Sequence, residues 1–194
     1  MPITTLDPKT ALVVVDLQRG IVAVPVTPHA ATDVVARTAE LAGAFRERGL
    51  PVVLVRVTGR PDGADSPKGR TDAGAGSPAV RPDGWDEIVE ELTSGDDIIV
   101  TKRNWGAFYG TDLDLQLRRR GVTQVVLTGI ATSIGVESTA RAAHEHGYHV
   151  TIATDAVSDR DAGTHRNGIE KIFPRLAETG TTAEILEVLA ERER

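Results

Sequence analysis

Three positions far apart in the chain carry residue types from which a centre that moves a proton and holds an anion can be built. Asp16 closes the apolar run "ALVVVD" (11–16), and Lys102 closes "DIIVTK" (97–102). The stretch "IATSIGVESTA" (130–140) follows a third such run, "QVVLTG" (124–129). A carboxylate beside an ammonium in a partly dry crevice has its ionised form favoured by the neighbour, against desolvation. Such a pair can move a proton. The third stretch reads as a turn where a strand hands over to a helix, whose free N–H groups suit a carboxylate or a developing oxyanion. Turns of this kind often present a nucleophile, yet the residue at the helix entrance is Gly135. The plainer readings are a structural salt bridge, and glycines that only permit a tight turn.

Around these three lie other polar groups at strand ends. Gln18 follows Asp16, and Arg56 ends "PVVLVR" (51–56). Ser133 is the serine on the turn, but no G-x-S-x-G surrounds it, nor Ser138 one helical turn further on. No G-x-G-x-x-G follows the first strand and no G-x-x-x-x-G-K-[ST] occurs, so no nucleotide cofactor is expected. His144 and His146 are two apart on a helix, hence on opposite faces and no metal pair. His165 is placed near the crevice rim. The sequence contains no cysteine, which excludes disulfides, thiolate metal sites and thiol catalysis.

The elements that must position these groups follow from the apolar patterning. Five short, continuous, β-branched runs at 11–16, 51–56, 97–102, 124–129 and 149–155 read as strands buried on both faces, with a weaker sixth near 175–178. Between them come helical patterns over 28–48, 111–121, 135–146, 161–172 and 181–191. Thr27 and Pro28 suit the start of the first of these helices and Gly49 its end. Thr111 with Asp114, and Thr181 with Glu184, have capping-box spacing. The alternation predicts a single α/β domain, three layers α/β/α, around a six-stranded, mostly parallel sheet. Ligands of such sheets bind beyond the carboxyl ends of the strands. Residues 58–84, rich in Gly, Pro and Asp, are too long for an idle connection and read as an excursion or a lid.

The whole-chain composition fits this picture. Its 194 residues, 40% hydrophobic and 26% charged, suit one substantial core. A net charge of −6 with dispersed Lys and Arg leaves no footprint for nucleic acid or an anionic membrane. No apolar run is long enough to span a bilayer, and "MPITTLDPKT" is not a signal peptide. A cytoplasmic protein acting on a small molecule is the expectation.

These residues, in this order, resemble the isochorismatase-like hydrolase (cysteine hydrolase) superfamily. The likeness runs from "TALVVVDLQRG" (10–20), through "TKRNWGAFYGTDLDLQLRRRGVTQVVLTGIATSIGVESTARAAHEHGY" (101–148), to "IFPRLAETGTTAEIL" (172–186). It implies a six-stranded parallel sheet and, for most members, hydrolysis of C–N bonds by an Asp–Lys–Cys triad. The Asp maps onto Asp16, the Lys onto Lys102 and the Cys onto Gly135. The resemblance further implies an oxyanion hole from the N–H groups of Ala131 and Gly135, preceded by a cis peptide at Ile130–Ala131. The family's metal-binding nicotinamidases place Asp and His after the second strand; "RVTGR" (56–60) offers neither, so no metal is expected. Oligomers, often with neighbours closing the pocket, are common in the family, which implies a homo-oligomer here.

True isochorismatases also carry glycine at the Gly135 position and cleave a vinyl ether. That reaction needs an acid to protonate the enol carbon, after which water attacks, and no protein nucleophile is required. This chain departs from them, with Ala131 and Ser133 where they have a tyrosine and a histidine. Three readings result. The first is a non-covalent hydrolase with Asp16 as acid or base and Lys102 as its partner. Trp105, Phe108 and Tyr109 would then wall a pocket for a small, flat, anionic molecule beside Gln18, Arg56, Thr132 and Ser133. The second is a binding protein without turnover. The third makes Ser133 or Thr132 a substitute nucleophile.

Overall fold

The structure is a computed structural model that describes residues 1–60, 62–67, 69–71, 81–93 and 96–191. Its centre is a six-stranded sheet of β1 (Thr10–Val15), β2 (Val52–Val57), β3 (Ile98–Lys102), β4 (Gln124–Ile130), β5 (His149–Ser158) and β6 (Glu178–Gly180). The spatial order is β3-β2-β1-β4-β5-β6 and every pair is parallel. Helices α1 (Arg19–Val22), α2 (Ala31–Glu47), α3 (Leu113–Arg119), α4 (Glu137–Glu145), α5 (Ala162–Asn167) and α6 (Thr182–Glu191) connect the strands. The α/β fold expected from the patterning is the fold found.

Strand alternation divides the core in two. Leu12 and Val14 pack with Leu41, Phe45 and Leu189 of α2 and α6, whereas Val13 and Val15 pack with Leu117, Ala140 and Phe173 on the opposite face. Burial on both faces is why β1 reads as an unbroken apolar run. The chain builds β1, β2 and β3 outward in one direction, then restarts at β4 on the other side of β1. The order reverses between β1 and β4, and their carboxyl ends, at Val15 and Ile130, frame the switch point.

Several boundaries differ from the sequence reading. Thr27 and Pro28 do not open α2, which begins at Ala31. Thr27 instead exchanges two backbone hydrogen bonds with Asp159, at 2.7 and 2.9 Å, and this pairing keeps it extended. The sixth strand lies at Glu178–Gly180, past the expected 175–178, because Phe173–Arg175 is wound into a 3₁₀ turn. β5 runs on to Ser158 through an irregularity in its pairing with β4. The helix expected over 161–172 gives way to a π-helical turn at Gly168–Ile172. The capping box at the last helix is present, with Glu184 accepting from Thr181 N–H at 2.7 Å. At α3, Thr111 accepts from Leu113 N–H at 3.2 Å but Asp114 instead accepts from Arg118 and Tyr148. The lid expected over 58–84 lies partly outside the described residues. No helix among the described residues is long and apolar enough to cross a membrane.

Candidate active site

β1 ends at Val15, and Asp16 turns out of it with φ of 56°, in the left-handed region. Asp is one of the few side chains that tolerate that conformation. Two strands away, roughly 10 Å across the sheet, β3 delivers Lys102, whose four-carbon stem reaches back over the end of β2. Its Nζ lies 2.7 Å from Asp16 Oδ2. The same ammonium donates to the carbonyls of Asn104 at 3.1 Å and Trp105 at 2.8 Å. All three of its N–H bonds therefore have acceptors in a site where Lys102 is only 2% exposed.

Asp16 is 5% exposed. Desolvation outweighs the attraction and hydrogen bond of Lys102, and its pKa is pushed up from 3.8 to about 6. Between the neighbour's pull, which favours the ionised form, and burial, which opposes it, burial is the larger effect. Oδ2 holds the lysine, while Oδ1 is buried without a hydrogen-bond partner among the described residues. One oxygen is thus anchored by the ammonium and the other keeps its hydrogen-bonding capacity unspent.

The third component is the turn after β4. The Ile130–Ala131 peptide is cis. A π-helical turn, Thr132–Val136, then leads into α4, with the Ala131 carbonyl accepting from Ile134 and Val136, both at 3.2 Å. A side chain at Gly135 would place its Cβ 3.1 Å from Asp16 Oδ2, 3.0 Å from Val15 Cγ1 and 3.5 Å from the Trp105 carbonyl oxygen. Gly135 therefore borders the Asp16–Lys102 pair directly. The loop after β3 is sewn to the same turn: Ala107 N–H donates to Thr139 Oγ1 at 3.1 Å, and that hydroxyl donates to the Gly135 carbonyl at 2.6 Å.

The other sequence candidates divide. Thr132 is buried, with Oγ1 2.9 Å from His165 Nδ1. Ser133 donates its backbone N–H to Asp159 at 2.6 Å. Gln18 is engaged with backbone. Its Nε2 donates to Val57 O at 3.0 Å and its Oε1 accepts from Val57 N–H at 2.8 Å, so it braces the ends of β1 and β2. Phe108 has its ring buried in the core, where it stacks on His146 with centroids 5.1 Å apart. Arg56 donates to Thr101 Oγ1 at 3.2 Å and sits 3.9 Å from Asp86. Trp105 and Tyr109 stand 67% and 80% exposed, and Trp105 serves the pair through its carbonyl rather than its ring. Sequence reasoning missed Asp159, Thr139 and the two carbonyls. A carbonyl has no side-chain signature, and Asp159 is brought in only by the extended course of β5.

Removing the lysine tests how tightly the pair is coupled. Lys102→Met leaves a buried carboxylate without its cation, and loss of one partner of such a pair costs about 3 kcal/mol. The expected result is a melting temperature lower by roughly 6–12 °C for a chain of this size, measured by calorimetry near pH 7.5. At pH 4.5 the deficit shrinks, because the orphaned carboxyl is then neutral.

Fold and site define a three-layer α/β protein whose acid, amine and helix entrance meet at the switch point of a parallel sheet. A model of the isochorismatase domain matches residues 10–184. The chain belongs to the isochorismatase family. It is 51% identical over 182 residues to an uncharacterised isochorismatase family protein, YecD, of Escherichia coli O157:H7, covering 93% of this chain and 96% of that one. It is also 33% identical over 195 residues to the ureidoacrylate amidohydrolase RutB of Methylobacterium radiotolerans, covering 86% and 71% of the two chains. The structure of an isochorismatase family protein from Burkholderia thailandensis superposes with a TM-score of 0.91 at 49% identity, covering 96% of this chain and 98% of that one.

Proposed function

We propose that this chain hydrolyses a small, anionic metabolite by non-covalent acid–base catalysis, without a protein nucleophile. The observation that carries the reading is the buried Asp16–Lys102 pair set directly against Gly135. Asp16 is the general acid or base, working through Oδ1. Lys102 fixes its partner oxygen and supplies positive charge. The N–H groups of Ala131 and Gly135 hold the anionic part of the substrate or the developing oxyanion. With the protonated carboxyl as acid, an enol ether suits this set: Asp16 adds a proton to the enol carbon, and water adds to the cation that forms. With the carboxylate as base, the same oxygen takes a proton from water attacking an ester or amide. RutB, the amidohydrolase relative, shows only that C–N hydrolysis occurs in the family.

The pH profile separates the two roles. As an acid, Asp16 must be protonated, so kcat/KM is expected to fall tenfold per pH unit above about 6. A substrate carboxylate beside Asp16 raises its pKa further in the complex, so kcat falls off at a higher pH than kcat/KM. As a base, Asp16 gives a profile that rises through about 6 to a plateau. Stability shifts with the same group. Its folded pKa exceeds the unfolded 3.8, so its contribution is fully present below pH 3.8 and lost as pH rises through about 6. The profile is measured on the compounds hydrolysed in a screen of small ethers, enol ethers, esters and amides. A flat profile between pH 5 and 8 with every compound turned over removes Asp16 from the chemistry.

A second reading rests on the sequence's lack of any cysteine: a homologue that binds the same class of molecule and leaves it unchanged. Such a binder gains melting temperature from a ligand that mass spectrometry recovers intact. The remaining alternative, Ser133 as nucleophile, requires a covalent adduct on that residue with an acyl or phosphonate probe.

A further inference from the structure

The turn that carries Ala131 and Gly135 is gripped from behind by the stretch that runs from the end of β5 through α5 to Gly168. Asp159, itself buried, accepts from Ser133 N–H at 2.6 Å. His165, also buried, meets the Thr132 hydroxyl at 2.9 Å through Nδ1. At Gly168 the approach is close enough that a Cβ there would lie 3.2 Å from the Thr132 methyl group. Thr132 is thus fixed at both branches of its side chain, and Ser133 through its backbone. These are the first two residues of the helical turn on which Gly135 sits.

We infer that His165 is a positioning residue of this site: through Thr132 it sets the aim of the Ala131 and Gly135 N–H groups at a bound anion. The inference rests on reading those amides as the anion hole. His29 approaches the ring edge-on with centroids 6.2 Å apart, and the Asp159 carboxylate acts on it as an attractive charge. Burial and His29 hold the imidazole below its usual pKa, so at neutral pH it is an uncharged ring that can accept the Thr132 proton. A small movement of residue 132 passes directly to residues 131–135, because one π-helical turn contains them all but the first. Oxyanion donors act only when aimed at the position that the charge occupies.

The absence of other thiols supplies a readout that needs no known substrate. Gly135→Cys introduces the sole sulfhydryl of the chain, provided neighbours 3.0–3.1 Å from its Cβ give by a few tenths of an ångström. Its alkylation rates by iodoacetate and by uncharged iodoacetamide, taken as a ratio across pH 6–9, report how well the turn attracts an anion. In the Gly135→Cys background, His165→Ala is expected to lower that ratio at least fivefold. Thr132→Val should do the same, with the two together no worse than either alone. His165→Asn, whose amide can stand where Nδ1 lies, should restore the ratio to within twofold. In the chain with Gly135 intact, amide hydrogen exchange at residues 133–136 should quicken at least tenfold in His165→Ala and Thr132→Val and recover in His165→Asn. The inference is overturned if His165→Ala lowers the melting temperature while ratio and exchange stay within twofold, or if the two substitutions multiply. Should His165→Ala fail to fold, Thr132→Val and His165→Asn decide alone. A chain that hydrolyses nothing in the screen defeats the hydrolase reading and leaves this test standing.

Discussion

Asp16→Asn is expected to reduce hydrolysis of every compound the protein turns over by at least about a thousandfold, within the range for loss of a general acid or base. Asparagine is the informative replacement because it tolerates the left-handed backbone of Asp16, at φ of 56°, nearly as well as aspartate. It keeps an oxygen that can accept from Lys102 and removes the negative charge together with the titration. The fold should persist, since the lysine retains the Asn104 and Trp105 carbonyls. The substitution should also flatten the pH dependence of stability between about 4 and 6, because the carboxyl that binds a proton there is gone. Equal turnover by the variant and the native chain would remove Asp16 from the mechanism.

Gly129→Ala is expected to prevent folding at 37 °C. Gly129 has φ of 128°, which L side chains rarely adopt, and a Cβ there would collide with the carbonyl oxygen of Val15 on the adjacent strand. The neighbour is backbone in the middle of the sheet and cannot rotate away. Relief requires β1 and β4 to separate at the ends that carry Asp16 and the Gly135 turn. The cost exceeds about 4 kcal/mol, the level reached by few single substitutions, out of a total stability of roughly 5–15 kcal/mol. Expression at 37 °C should yield insoluble or degraded protein. Soluble Gly129→Ala with a native circular dichroism spectrum and a melting temperature within about 3 °C would show that the strands are not so tightly apposed.

What the sequence disclosed was set by how local each signal is. The strands of the sheet centre are legible because burial on both faces demands continuous β-branched runs, and that demand is written in consecutive residues. Asp16 and Lys102 are legible for the complementary reason: a charge ending such a run has few places to be except the sheet edge. That the two touch follows from a strand order that no single segment encodes, and it was an expectation until the sheet was assembled. Boundaries failed where tertiary pairing overrode local preference. Thr27 has the chemistry of a helix cap but pairs with Asp159 instead. The surroundings of Gln18 and Phe108 were not legible for another reason. Both stand beside site residues in sequence, but one braces backbone and the other packs in the core. Proximity along a strand or loop says nothing about which way a side chain faces once the backbone turns.

The lack of sulfur at Gly135 reaches beyond the reaction itself. A thiolate in that position would be open to peroxide, disulfide exchange and electrophilic metabolites, and would descend the ladder from sulfenic to sulfonic acid. A carboxylate, an ammonium and two peptide groups have no such descent. On the proposed reading, oxidants that attack thiols leave this site chemically intact, and its output is governed by acidity rather than by redox poise.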